Sequence, residues 1–135
     1  MIVSRERAEL SSSTAVGEHL RKILNQEDSL SREREHFWVI TINNRNRVKF
    51  VELVSLGTIN STVVHPREVF RRAIKNGATS LIICHNHPYG DTKPSDADIL
   101  LTRKLREVGS IIEIEVLDHV IIGDKTLYFK EEGLL

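Results

Sequence analysis

A single cysteine, Cys84, leaves no partner for an intrachain disulfide and suits a reducing compartment. No apolar run approaches the roughly 20 residues that a membrane helix needs. The N-terminus lacks a signal-peptide core, so the expected location is the cytoplasm. Charge of one sign is not in excess: Lys plus Arg number 19, and so do Asp plus Glu. A duplex-DNA binder ordinarily carries a basic surplus to neutralise phosphates, so direct nucleic-acid binding is not expected beyond a local patch. Internal repeats and low-complexity tracts are absent as well. Against these absences, 135 residues with 40% hydrophobic and 28% charged content make one globular domain with a proper core. A homo-oligomer is compatible with this composition.

Periodicity predicts the elements. Residues 1–13 are polar and end in Ser11-Ser12-Ser13, and they read as a loose leader; the domain is expected over 14–135. Val16, Leu20, Ile23 and Leu24 repeat at helical spacing from Ser13 or Thr14 to about Asn25. A charged connection, Glu27 to Glu35, leads to the strand-like run Phe37 to Ile42. Asn43-Asn44-Arg45-Asn46 reads as a hairpin turn, and Val48 to Leu56 as the returning strand. Thr62-Val63-Val64 is a short third strand. Pro66 opens a helix with Val69, Phe70, Ala73 and Ile74 inward, ended by Asn76-Gly77. Preceding it, His65 reads as a cap or core histidine. Thr79 to Cys84 is apolar on both faces and is expected at the centre of the sheet. A helix follows from Ser95 to about Val108 with Ile99, Leu100, Leu105 and Val108 inward, and Gly109 stops it. Ile111 to Leu117, Val120 to Ile122 and Leu127 to Phe129 read as further strands, with Asp118-His119 as a break. The order predicts an α/β fold with a mixed sheet flanked by helices.

The chemistry gathers where Leu81-Ile82-Ile83-Cys84 gives way to His85-Asn86-His87-Pro88-Tyr89-Gly90-Asp91-Thr92-Lys93-Pro94-Ser95-Asp96-Ala97-Asp98. In an extended chain, His85 and His87 point to one face and Cys84 to the other. Cys84 is therefore read as a packing residue. Two prolines and a glycine then mark a loop, and Asp98 falls on the first turn of the next helix. Two imidazoles and a carboxylate supply three ligands to a borderline cation such as Zn2+ and leave a fourth position open. Ser95-x-x-Asp98 also reads as a plain capping box, which would account for both residues without a metal.

His-x-His, seven residues, Ser, two residues, Asp resembles the signature of the JAMM (MPN+) metalloprotease superfamily. The fuller string His85-Asn86-His87-Pro88…Gly90-Asp91…Pro94-Ser95…Asp98 resembles its RadC branch. So do Ser31 to Glu35, Gly57 to Ser61, Val64 to Glu68 and Leu117 to Gly123, and the resemblance covers the chain from about Thr14 to Leu135. It implies a single MPN domain with a curved, cytidine-deaminase-like sheet. It also implies zinc on His85, His87 and Asp98, Glu35 as general base, and Ser95 as a donor to a developing oxyanion. Glu52, inside the second strand, is the rival base. The ring nitrogens not bound to metal need acceptors, from Asp118 or a backbone carbonyl. Asn86 is usual for the branch, whereas Tyr89 stands where Ser is common, at the mouth of the cleft. RadC-like proteins usually carry a helix-hairpin-helix region ahead of this domain, which is not expected in this chain.

The implied activity is hydrolysis of a peptide or isopeptide bond in a peptide or protein substrate. A nonenzymatic accessory module in DNA repair or recombination is the alternative that the family label carries. An HNH nuclease spreads its residues over a longer motif. A cytidine deaminase needs Cys ligands and His-x-Glu, and this chain has one cysteine and Asn86-His87 after His85.

Overall fold

A computed structural model of the chain describes residues 2–7, 12–57 and 64–135. Among the described residues, six strands form one mixed sheet in the order β1-β3-β2-β4-β5-β6: β1 (Ile2–Arg7), β2 (His36–Ile42), β3 (Val48–Leu56), β4 (Ser80–Asn86), β5 (Glu115–Ile122) and β6 (Thr126–Tyr128). Only β4 and β5 pair in parallel; the other neighbours are antiparallel. The helices are α1 (Ser13–Asn25), α2 (Ser29–Arg32), α3 (Pro66–Lys75) and α4 (Asp96–Ile112).

The two central strands, β2 and β4, are buried at every residue. Alternation divides them between two cores. Trp38, Ile40, Ile42, Ile82 and Cys84 face α1 and its stripe Val16, Leu20 and Leu24. Phe37, Val39, Leu81 and Ile83 face α3 through Val69, Phe70 and Ala73, and α4 through Leu105. Helices on both faces are what a strand apolar on both faces requires. Cys84 is fully buried in the α1 core, and burial raises its thiol well above the ordinary value, so it is inert packing.

Several expectations need correction. Ile2–Arg7 is not a loose leader but an edge strand paired with β3. The strand expected at 62–64 lies outside the described residues except for Val64, which is not in a strand. His65 takes the N-cap position of α3 but makes no side-chain cap bond. Ile74, expected inward, is 62% exposed. So is Leu100 on α4, where Thr102 is buried instead. The largest difference concerns Gly109. α4 runs through it to Ile112 and ends at Glu113, whose φ of 59° reverses the chain. Ile111 and Ile112 are therefore the last helical turn, and β5 runs unbroken through Asp118 and His119.

Gly109 is present because the chain folds back onto it. Its amide oxygen accepts from Ile114 N–H at 2.9 Å, and a Cβ there would sit 2.3 Å from the Ile114 carbonyl oxygen. Gly→Ala inside a helix normally stabilises by about 1 kcal/mol. At Gly109 the sign reverses: the backbone overlap should make Gly109→Ala destabilising by roughly 1–3 kcal/mol, read as a lower urea midpoint.

Candidate metal centre

β4 carries His85 at its penultimate position, and His87 follows just beyond the strand. The loop is folded back by His87 N–H to Ile122 O (2.8 Å) and Gly90 N–H to His87 O (3.0 Å). Gly90 has φ +94°, and a Cβ there would fall 2.5 Å from an Asp124 carboxylate oxygen, so only glycine closes this turn. The chain then reaches Ser95, which caps α4. Ser95 Oγ accepts from Asp98 N–H at 3.0 Å, and Asp98 Oδ2 accepts from Ser95 N–H at 2.9 Å. The capping box is real, and it holds the Asp98 carboxylate against the histidines. Capping and metal ligation are thus not alternatives.

His85 Nε2 and His87 Nε2 lie 2.9 Å apart. Asp98 Oδ1 is 3.3 Å from the first, and Oδ2 is 3.2 Å from the second. All three donor groups fall within 4.8 Å of one another, and among the described residues no other group of His, Cys, Asp and Glu converges in this way. A larger cavity of about 570 Å³, between the end of α4 and the starts of β4 and β5, holds no such cluster.

Hydrogen bonds behind the site determine which ring nitrogens carry protons. Thr102 Oγ1 donates to the Asp98 carbonyl, which can only accept, at 2.8 Å. Toward His119 Nδ1, 2.6 Å away, the hydroxyl oxygen must therefore accept, so Nδ1 bears the proton. His119 is wholly buried, and burial, aided by the nearby His85, lowers its pKa well below the ordinary value; it is neutral. Its Nε2 is then bare and accepts from His85 Nδ1–H at 2.7 Å. His87 Nδ1 faces the Asp91 carbonyl at 2.7 Å and must donate. In their neutral forms both histidines thus direct an unprotonated Nε2 at the Asp98 carboxylate. In that state three acceptor groups meet, and a metal ion could satisfy them in place of the protons that otherwise bridge the histidines to Asp98.

The electrostatics agree. The hydrogen bond with Asp98 raises His87 above its ordinary pKa against the opposing effect of burial, with smaller help from the Asp91 carbonyl, Asp98 and Glu35. Burial pushes the Asp98 carboxyl up, but the hydrogen bonds that His85 and His87 donate once a proton stands on Nε2 outweigh it and hold Asp98 well below the usual carboxylate range. These shifts mark a site that draws in positive charge.

Glu35 lies in the cleft with His87, Pro88, Tyr89, Asp91, Lys93, Ser95 and Asp98, which enclose about 300 Å³. Tyr89, 77% exposed, stands at its rim. Glu52 is not among the lining residues: it is buried beneath α3 and paired with Arg72 at 3.1 Å. Asp118 is not behind the histidines either. Its Oδ1 accepts from the His119 and Lys130 amides. The partners in its place are His119 and the Asp91 carbonyl. His119 escaped the sequence reading because Asp118-His119 looked like a break between strands. The usable signal was a histidine flanked by apolar residues, Leu117, Val120 and Ile121.

This mixed sheet, with a His-x-His strand end facing the start of a capped helix, is a JAB/MPN-type α/β domain. The model of the RadC-like JAB domain matches residues 10–134, and the chain belongs to that family. It is 56% identical over 103 residues to a UPF0758 protein of Desulforudis audaxviator, covering 76% of this chain and 45% of that protein. It is 51% identical over 113 residues to a UPF0758 protein of Desulforamulus reducens, covering 83% and 50%. The chain spans about half the length of the curated relatives it matches. Among the described residues, no helix is long and apolar enough to cross a membrane.

Thr102→Val keeps the shape and removes the link that orients His119. Metal affinity should fall about 10- to 100-fold with the fold retained, measured by competition with a chelating dye. Protons and metal compete for His87 Nε2, whose pKa is raised. Affinity in the wild type should therefore weaken as pH falls through that raised value and level off above it; a flat profile from pH 6 to 8 would contradict the competition.

Proposed function

We propose that this chain is the catalytic domain of a zinc-dependent JAMM-type metallopeptidase that hydrolyses a peptide or isopeptide bond. The observation that supports this most is the meeting of two bare imidazole nitrogens and a carboxylate at one side of a cleft that also contains Glu35 and Ser95. His85, His87 and Asp98 would hold the metal. An N₂O donor set suits zinc, which when bound supplies Lewis acidity, lowering the pKa of water toward about 7 and polarising a carbonyl.

The remaining chemistry belongs to the protein. Glu35 takes a proton from the attacking water and passes it to the leaving amine as the C–N bond breaks. The water oxygen stays with the new carboxyl group. Ser95 Oγ already accepts from Asp98 N–H, so its own O–H is left to donate to the oxygen of the carbonyl under attack. Asp91 and His119 hold the two imidazoles in one tautomer, so no proton has to be rearranged before the site can work. The substrate is a peptide or protein, entering past Tyr89.

Elemental analysis of the wild type, His87→Ala and Asp98→Asn is the test. About one zinc per wild-type chain, lost in both folded variants, is the expected result. Asn at 98 keeps the helix cap while removing the charge. Glu35→Gln should keep its zinc and lose roughly 10²–10⁴-fold in hydrolysis of peptide or isopeptide libraries. A wild type without zinc after reconstitution would sink this reading.

A further inference from the structure

The geometry points to Asn86 as the positioning residue for Glu35. This inference rests on the proposed role of Glu35. Asn86 is 2% exposed and lies between the two histidines of the site. Its side chain does not enter the cleft. It reaches across to the chain leading into β2. Asn86 Oδ1 accepts from His36 N–H at 2.5 Å, and Asn86 Nδ2 donates to the Arg34 carbonyl at 3.0 Å. These groups belong to the two peptide units on either side of the Glu35 Cα. One amide therefore grips the backbone immediately before and after the proposed base.

The partners leave no ambiguity in the orientation of the amide, because a backbone N–H can only donate and a carbonyl can only accept. They also explain the residue type. The site needs a donor and an acceptor on one short side chain. Aspartate offers two acceptors and would repel the Arg34 carbonyl, and serine has a single oxygen. The paired residues of β2 and β4 end at Phe37 with His85. The Asn86 side chain extends that attachment past the last pair. On the other side, the Glu35 carbonyl accepts from Gly57 N–H at 2.9 Å. Glu35 thus sits on backbone held from both flanks, and one anchor is the residue joining His85 to His87. Its carboxylate is positioned from the same short segment that positions the metal ligands.

Amide hydrogen exchange and Co2+ titration of the intact chain test this together, on wild type, Asn86→Asp, Asn86→Ala, Glu35→Gln and the Asn86→Asp/Glu35→Gln double variant. Exchange at the His36 amide, relative to Val39 deeper in β2, should speed up about tenfold or more in Asn86→Ala. It should change less in Asn86→Asp, which keeps an acceptor for that N–H. Co2+ stoichiometry should stay at wild-type level in every variant, since neither residue supplies a ligand. Glu35→Gln should move the pH midpoint of the Co2+ visible spectrum. Asn86→Asp should move it in the wild-type background and not in the Glu35→Gln background, because it acts through Glu35. A role confined to folding would leave the two shifts equal, and that result overturns the inference. Unchanged His36 exchange in both Asn86 variants overturns it too. Failure of the wild type to bind Co2+ removes the metal reading and with it the purpose of the clamp, while the exchange comparison still decides whether the clamp exists.

Discussion

Two imidazole nitrogens and a carboxylate held against one another form a set of acceptors that a cation could satisfy, and the C-terminal end of β4 is built around that convergence. A single buried acceptor left without a partner costs about 1–3 kcal/mol. Here two imidazole nitrogens and a carboxylate face one another within 4.8 Å. The protein does not relieve the conflict by turning a ring. It enforces it, through a chain of hydrogen bonds that begins at the Asp98 carbonyl, passes through Thr102 and His119, and ends at His85. The chain starts and finishes on members of the site, so α4 and β4 cannot shift relative to each other without breaking it.

The fold supplies the rigid frame for this. β4 is central, buried on both faces, and bonded to β2 on one side and β5 on the other. β5 contributes His119, wedged between Phe129 at 4.3 Å and the edge of Phe37. β2 starts where β4 ends, because the two are antiparallel, and that places Glu35 beside the histidines. The groups of the site are thus delivered by the ends of three elements: Glu35 ahead of β2, His85 and His87 at the end of β4, and Ser95 and Asp98 at the start of α4.

Much of this was readable in the chain. His-x-His after an apolar run, and Ser-x-x-Asp at the start of an amphipathic helix, are local patterns, and local geometry decided both: alternation set the face of the histidines, and capping set the direction of Asp98. The hairpin at Asn43–Asn46 was equally local, with Asn46 at φ 60° as asparagine tolerates. The readings that failed were those requiring knowledge of a neighbour. Gly109 looked like a helix stop because glycine usually is one. It is a contact point, and only the return of Ile114 onto it shows why. Asp118-His119 looked like a break because two polar residues interrupt an apolar run. They are buried because the Asp118 carboxylate satisfies two backbone amides and His119 completes the hydrogen-bond chain.

The same division separates the two glutamates. Both were open to a catalytic reading from sequence, since nothing along the chain tells which acid will face the cleft. Folding puts Glu52 under α3 against Arg72, and brings Glu35 to His87 across more than fifty residues of chain. By itself the sequence determined the family, the two-faced central strand and the set of converging donors, because those follow from spacing over a few residues. Only the tertiary structure decided the tautomers, the partner of His85, the placing of Glu35 rather than Glu52 in the cleft, and the two bonds of Asn86 to the backbone on either side of Glu35. Each of those depends on a hydrogen bond between strands or helices that are distant in sequence, and no periodicity records which of them will meet.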